Sequence, residues 1–600
     1  MVKVSVIVPT FNNTKENLER IIESFDNQTM DKKDFEVIFV DDGSSEFQSF
    51  KRLKKMADER PNYTVKSIKA SGWGSKPRNM GTKIARGEYV FYSDDDDSIF
   101  PQALEKMYDF AKKHDFDVVN PKVIRTKGWS WGWDEYQENI IGAEKNGVQS
   151  MGPMTVPKLY KKSFLEKNGL TFSEGEKVWW EDVMFSCLVF SKNPHIGVLA
   201  EYPIYHWREQ NRSASFGKDL DYKWSQLTNL AIFFGENLSQ EDRDIMVGHW
   251  YKSRVLGAIS KDFHKKKEEI QKIEFAKAEE WREKYVNDNV VSKLDSNGKV
   301  LDQILEMGRR DLAYSLSESR TGITARSYLK NASFVDDKIL ISCSADLTID
   351  EEEAVKIKGR NRKIKIKLPK DVAKEIPKQL QYFDEKEIDE SIYLPAIKGR
   401  HSRATWDVKT VKRSEFVYGK GLTGFTVTGE LEFTINMKDY ALDKADYFQP
   451  WDIATRFSYL DNFSQRALAC KDDFKKAAII NNNTYVIYKN NSELFSIDMN
   501  STVLNFLGVA KADVDNAYVE NGKDIIVPIV NTYVYGDTNL EFIAAVIHEE
   551  STGFVDTTAN IFTKNGSAYI RVITDGVNKG KNTIKIVLNN KAHEFAVHLD

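Results

Sequence analysis

Cysteine is scarce in this sequence: 600 residues contain three, Cys187, Cys343 and Cys470, an odd number set too far apart for a metal-ligand cluster or a disulfide framework. They read as reduced thiols and point to the cytoplasm. Long apolar runs are missing too. No window approaches the ~20 residues that a membrane-spanning helix requires, so any membrane association is expected to be peripheral, as at the inner face of the cell membrane, or through a partner. The opening segment, Met1 to Pro9, is a short apolar burst with neither a basic leader nor a long apolar stretch, and no signal peptide is expected. An excess of one charge is lacking as well. A formal net charge of -4 gives no electrostatic footprint for nucleic acid. Low-complexity linkers are absent.

What is present is ordinary globular composition, 41% hydrophobic and 29% charged, in a chain too long for one core. From Val4 to about Tyr222, short apolar runs alternate with amphipathic helical patterns, as in a mostly parallel sheet flanked by helices. Val4–Val8 reads as a buried strand. Thr14 can cap a helix whose Leu18, Ile21, Ile22 and Phe25 share one face. Phe35–Val40 is a second strand that runs into Asp41-Asp42-Gly43-Ser44, and Glu88–Tyr92 is a third that runs into Asp94-Asp95-Asp96-Asp97. In such sheets ligands gather beyond the C-terminal strand ends, which is where both acidic clusters fall.

A helical pattern follows from about Asp221 to Phe334, with a capping box at Ser239 and Asp242. From about residue 335, period-two alternation and turn residues dominate, as in Lys363–Leu368, Glu430–Ile435 and Asn582–Val587. The expected organisation is an α/β Rossmann-like domain over 1–222, a helical connector over 223–334, and two all-β, immunoglobulin-like sandwiches over 335–475 and 476–600.

Four adjacent aspartates at a strand end repel one another unless a cation or hydrogen-bond donors compensate them, and a solvated acidic loop is the plain alternative. Asp182 follows Trp179-Trp180-Glu181 at a helix start; it is either a general base under an aromatic wall or a helix N-terminal acid. Lys76 and Arg78 follow Gly72 and Gly74, where they either meet phosphate or ribose oxygens or stay solvated. Trp129, Trp131 and Trp133 alternate along one face, suited to stacking on a sugar or to core packing. Arg254 and Lys261 lie seven apart on the expected connector helix, sharing one face, either to grip an anionic polymer or as plain surface charge. The Lys363–Lys367 alternation reads as protection of an edge strand.

Taken together, Ser5–Asn12 (SVIVPTFN), Val40–Ser44 (VDDGS), Lys76–Asn79 (KPRN), Gly87–Asp97 (GEYVFYSDDDD) and Trp180–Asp182 (WED) resemble the family 2 inverting glycosyltransferases of the GT-A fold. Within that family the KPRN segment, helical connector and β-rich tail resemble the staphylococcal wall teichoic acid β-N-acetylglucosaminyltransferases.

The resemblance implies transfer of N-acetylglucosamine from UDP-GlcNAc to poly(ribitol phosphate) with a β-linkage, dependence on Mn²⁺ or Mg²⁺, and a homotrimer built by the C-terminal domains. It implies that Asp182 is the base and Glu181 a donor-sugar contact. Pro9 and Phe11 would line the uracil pocket, Asp41 would accept from the base, and Lys76, Arg78, Asp94, Asp95, Arg208 and Ser213 would contact the donor. Asp96, with Asp94, would hold the metal, and Arg254 and Lys261 would bind acceptor phosphates. Two departures stand out: Asp95 occupies a position that is often small and neutral, and Ala70-Ser71 stands where an asparagine is usual. A different UDP-hexose in capsule or other surface-glycan synthesis, or a non-catalytic polymer-binding assembly protein, are the alternative expectations.

Overall fold

The computed structural model describes residues 2–599 apart from 127–137, 143–153, 176–177, 209–218, 320–322, 350–352, 355, 358–363, 422–423, 443–447, 461, 501–505, 549–554, 575–579 and 589–590. Trp129, Trp131, Trp133 and Ser213 lie outside the described residues. The chain divides into two compact units, Met1–Thr321 with Gly359–Asp389, and Gly322–Lys358 with Glu390–Asp600.

The first unit opens with β1 (Val4–Thr10), α1 (Lys15–Asp26), β2 (Phe35–Asp41), α2 (Phe47–Asp58), β3 (Tyr63–Ser67), α3 (Ser75–Ile84) and β4 (Tyr89–Tyr92). The strands pair in parallel in the order β3-β2-β1-β4. β1, β2 and β4 are apolar and almost wholly buried, as parallel strands covered on both faces must be. Thr14 caps α1 by accepting from the Asn17 N–H, and Leu18, Ile21, Ile22 and Phe25 are its buried face, as the periodicity requires. Helix α3 packs hard on β1: a Cβ on Gly81 would come within 2.4 Å of Ile7 Cγ2.

The sheet continues with antiparallel strands. After β5 (Ser98–Ile99), α4 (Ala103–His114), β6 (Val118–Arg125) and β7 (Ile140–Ile141) come β8 (Leu159–Lys161), α5 (Lys162–Lys167), α6 (Glu181–Phe190) and β9 (Ile196–Trp207). β8 bridges β4 and β6 antiparallel, and β9 runs parallel to β6 while pairing antiparallel with β5.

The helical segment is packed onto this domain. Helices α7 (Leu220–Asn237) and α8 (Gln240–Trp250), with those that follow as far as Ser319, share one core with the α/β part, running from Ile7 and Tyr92 through Phe185 and Trp250 to Trp281 and Ile304. Ser239 caps α8 by accepting from the Asp242 N–H. Beyond Trp250 the backbone widens into a π-type turn, Tyr251–Leu256, and the helix ends soon after. A strand begins already at Ile323 and runs to Val335. The Lys363–Leu368 stretch is not an edge strand among its described residues. Ile364 and Ile366 are buried, Lys365 makes a single bridge to Tyr382, and Ile366 joins the core of the first unit with Val372 and Ile376. The alternation there serves burial of the isoleucines.

In the second unit, Ile323–Val335, Lys338–Ile349, Gly424–Ile435 and Thr410–Gly421 form an antiparallel sheet. Ile392–Gly399, Pro450–Tyr459, Phe495–Met499, Asn483–Lys489 and Lys475–Ile480 pair antiparallel in that order. A further sheet spans residues 511–599. Ile479 and Val486 share a core with Ile525, Val527, Ile561, Ile570 and Ile584, so two of these sheets bury apolar faces together.

Candidate active site

The C-terminal ends of β1, β2 and β4 carry the first set of predicted residues. Asp41 is buried and accepts from the Ser44 N–H at 3.2 Å, the Ser44 hydroxyl at 2.5 Å and the Ser67 hydroxyl at 3.1 Å. Its carboxylate therefore caps its own turn and ties β2 to β3. Asp42, singled out by no sequence signal beyond its place beside Asp41, clamps the next loop by accepting from the Ser71 N–H and hydroxyl, both at 2.8 Å, and the Gly72 N–H at 2.9 Å. Gly43 permits this approach: it has φ +70, and a Cβ there would come within 2.7 Å of the Ala70 nitrogen. Phe11 is 54% exposed at the end of β1, an apolar ring left open beside this pocket.

Helix α3 begins at Ser75, and Pro77 is tolerated in its first turn, where its missing N–H has no partner to lose. Lys76 and Arg78 therefore ride on the helix. Arg78 is turned inward, its side chain 7% exposed, and its two terminal nitrogens each donate at 2.8 Å, one to Asp94 and one to Glu181, 103 residues further on. Burial works against its charge, and the two carboxylates outweigh that, holding the guanidinium ionised. Lys76 is half-buried.

The four aspartates do different things. Asp97 is buried, accepting from the Tyr205 hydroxyl at 2.6 Å and from the Arg208 N–H at 2.7 Å. The Tyr205 oxygen in turn accepts from the Asp94 N–H at 3.0 Å. This fixes the cluster to the end of β9. Asp95 is held against the end of β1 by the Thr10 hydroxyl and the Phe11 N–H, with burial pushing its carboxyl up to about 7. Asp96 is pushed up to about 6, by burial first and then by the Asp94 charge. Asp94 and Asp96 are hard oxygen donors, one of them raised by the charge of the other, and that chemistry fits a divalent cation. Among the described residues no three acidic, histidine or cysteine side chains gather for an ion.

Asp182 sits in the first turn of α6. The helix is entered through Trp180 in the left-handed region (φ 61, ψ 33), a strained conformation for a bulky aromatic residue, worth roughly 1–2 kcal/mol. Such strain persists only where the surroundings enforce it. Here Trp179 stacks edge-on against both Trp180 and Tyr222 of α7, its backbone N–H donates to the Gln226 side-chain oxygen, and the Trp180 ring centroid lies 4.5 Å from that of Trp250 of α8. The Asp182 carboxyl is raised to about 7, by burial first and by the Glu181 charge next, with the Val183 N–H and Arg78 pulling the other way. Lys158 is buried close by. Burial lowers it to about 7 while the Asp182 charge pulls it up, and its ammonium donates to the Thr155 carbonyl.

A cavity of about 220 Å³ gathers Trp73, Arg78, Asp94, Trp179, Glu181 and Asp182 in its wall. Arg125, stacked 4.3 Å over the Trp207 ring, lines the same cavity with Tyr205. An acid near neutral pKa, an aromatic wall and a carboxylate cluster thus face one space, an arrangement suited to in-line transfer onto a hydroxyl.

Residues 5–169 match the family model for glycosyl transferase family 2. Over that segment the first unit resembles the family 2 glycosyltransferases. The poly(ribitol-phosphate) beta-N-acetylglucosaminyltransferase TarP of Staphylococcus aureus is 33% identical over 214 residues, 34% of this chain and 62% of that one. The poly(ribitol-phosphate) beta-glucosyltransferase of Bacillus spizizenii is 32% identical over 209 residues, and Staphylococcus aureus TarS 30% identical over 207; each match covers 34% of this chain and about a third of the relative. This chain thus spans less than two thirds of these relatives' length. The crystal structure of Staphylococcus aureus TarS covers 99% of this chain and 100% of its own at 16% identity, with a TM-score of 0.44, too loose a superposition to add to the fold.

The structure brings Arg78, Asp94, Glu181 and Asp182 to one cavity and bonds Asp97 to Tyr205 of β9 and to the Arg208 N–H. It does not place the two connector cations as the heptad spacing suggests. Arg254 lies in the π-type turn with its guanidinium 5.6 Å over Trp250, whereas Lys261 is in a turn beyond the helix end. The π-type turn and the helix end after it are the reason: a seven-residue spacing repeats a face only in an unbroken α-helix. Arg208 is described through its backbone bond to Asp97 and its Nε contact with Ser98 at 3.4 Å.

Proposed function

We propose that this protein transfers N-acetylglucosamine from UDP-GlcNAc to ribitol hydroxyls of poly(ribitol phosphate), with inversion and a β-linkage. The observation that carries the reading is the Arg78 bridge: one buried guanidinium joins the aspartate cluster to Glu181, so that Asp182 faces the space where donor and acceptor must meet. In the proposed mechanism Asp182, with a pKa of about 7, takes the proton of the acceptor hydroxyl while that oxygen attacks the anomeric carbon opposite the departing UDP. Glu181 and Arg78 position the donor sugar and keep Asp94 in place. Pro9 and Phe11 cover the uracil, and Asp41 reaches it from the β2 end. Lys76, Asp95, Arg208 and Ser213 complete the donor site. Asp94 and Asp96 would hold Mn²⁺ or Mg²⁺, which would supply positive charge against the leaving diphosphate.

Arg254, on the aromatic row Trp180–Trp250, and Lys261 bind acceptor phosphates. The C-terminal sheets make immunoglobulin-like sandwiches, 335–475 and 476–600, that assemble a homotrimer. The enzyme works in the cytoplasm, at the inner membrane face. No described helix is long and apolar enough to cross a membrane.

Glucose is the second donor reading, favoured by the 32% identity to the Bacillus spizizenii glucosyltransferase. The test is UDP release by the purified protein with Mn²⁺, across UDP-sugars, with and without poly(ribitol phosphate). Turnover with UDP-GlcNAc that needs the polymer and stops on chelation supports the reading. Preference for UDP-glucose transfers it to the second donor, and turnover indifferent to polymer removes the acceptor.

A further inference from the structure

A cavity in the second unit lies far along the sequence from these residues. It has a volume of about 620 Å³, and Arg400, Asp452, Lys475, Tyr488, Lys489 and Asn490 are in its wall. Its floor is set by strand register. Lys475 is directly opposite Tyr488, Tyr488 is opposite Ser496, and Ser496 is opposite Asp452, so the four residues make one row across four adjacent strands. At about 4.8 Å per strand the row is about 14 Å long.

The chemistry changes along that row. At one end Lys475 is exposed, and the described residues give it no ion pair. In the middle stands the half-buried Tyr488 ring. At the other end is a prebuilt hydrogen-bond network. The Arg400 guanidinium donates to Asp452 at 2.6–3.1 Å and to the Ser496 hydroxyl at 2.9 Å, and Asn490 Nδ2 donates to the same hydroxyl at 2.9 Å. Asn490 Oδ1 accepts from the Ser492 and Leu494 N–H groups, which fixes its loop. The Arg400 pairing neutralises Asp452. Asp498, 5% exposed, also lines the cavity, and Lys489 is paired with Glu493 at 3.2 Å.

An ammonium, then a ring, then planar amide, guanidinium and carboxylate groups match, in order, a phosphodiester, a carbon chain and its vicinal hydroxyls. We propose that this row is a second binding site, for a polyol-phosphate stretch of the acceptor polymer remote from the hydroxyl being glycosylated. The inference rests on the acceptor reading above. A second foothold on a repeating chain raises apparent affinity without adding any contact at the reacting centre.

The test uses the full chain. Binding of purified poly(ribitol phosphate) is compared for the wild type, Lys475→Glu and Tyr488→Ala, together with glycosyl transfer to the polymer and to a ribitol phosphate fragment of two or three repeats. Lys475 is exposed, so its charge reversal leaves the core untouched. The expected result is apparent polymer affinity weaker by about tenfold or more in both variants, with transfer to the short fragment unchanged. Equal polymer affinity in wild type and variants overturns the second site alone. A wild type that cleaves UDP-GlcNAc but neither binds nor glycosylates the polymer overturns the acceptor reading, and the second site with it.

Discussion

Replacing Glu181 with glutamine is expected to move the pH dependence of transfer to lower pH. Asp182 is raised from an ordinary 3.8 to about 7, about three units, and each unit corresponds to about 1.4 kcal/mol, so its charged form is disfavoured by about 4 kcal/mol. Burial is the largest cause and the Glu181 charge the next. A base must be unprotonated to act, so kcat/KM is present above pH 7 and falls about tenfold per unit below it. Glu181→Gln removes the like charge and leaves Arg78 less neutralised. Both changes favour the Asp182 carboxylate, and the limb should shift down by about one unit. The assay is the initial rate of UDP release between pH 5.5 and 8.5 at subsaturating UDP-GlcNAc and saturating Mn²⁺, with Asp182→Asn expected to lose about 10²- to 10⁴-fold. A limb that stays at 7 or rises in Glu181→Gln, or an Asp182→Asn protein of wild-type rate, would refute the reasoning.

The same carboxyl makes a stability prediction. Because its folded pKa lies above the unfolded one, its stabilising contribution is fully present below about pH 4 and lost as pH rises through 7. Asp182→Asn should therefore be more stable than wild type by about 4 kcal/mol at pH 8 and close to it at pH 4, read from urea unfolding followed by tryptophan fluorescence. Gly81→Ala drives a Cβ to 2.4 Å from Ile7 Cγ2 and should cost about 1–3 kcal/mol, seen as a lower urea midpoint. Asp42→Ala frees the Ser71–Gly72 loop beside the donor pocket; the expected outcome is a raised KM for donor with kcat within about threefold, and an unchanged KM would count against that loop. Tyr205→Phe removes the hydroxyl that joins Asp97 to the Asp94 backbone and should raise the Mn²⁺ concentration needed for half-maximal UDP release.

The sheet and its helices were legible because local signals dominate them: buried apolar strands, the Thr14 cap and the Leu18–Phe25 face all follow from spacing. The candidate base was legible for the same reason, as an acid after two tryptophans at a helix start. Pairings across the chain were not. No pattern local to Arg78 announces Glu181, 103 residues away, and nothing in four equal aspartates says that Asp97 belongs to Tyr205. The connector misled where backbone geometry changes: heptad spacing put Arg254 and Lys261 on one face, and a π-type turn followed by a helix end separates them. Alternation at Lys363–Leu368 looked like an edge strand because period two reports only that every second side chain is buried. It does not say against what, and Ile366 joins the N-terminal core.

The most direct measurement of the central claim is the anomeric configuration of the product made from UDP-GlcNAc and poly(ribitol phosphate), read by proton NMR of the purified polymer. A new anomeric doublet with the large coupling of a β-glycoside, absent when Asp182 is replaced by asparagine, is the predicted result. An α-linked product, or transfer that survives Asp182→Asn, would contradict a single in-line displacement with Asp182 as its base.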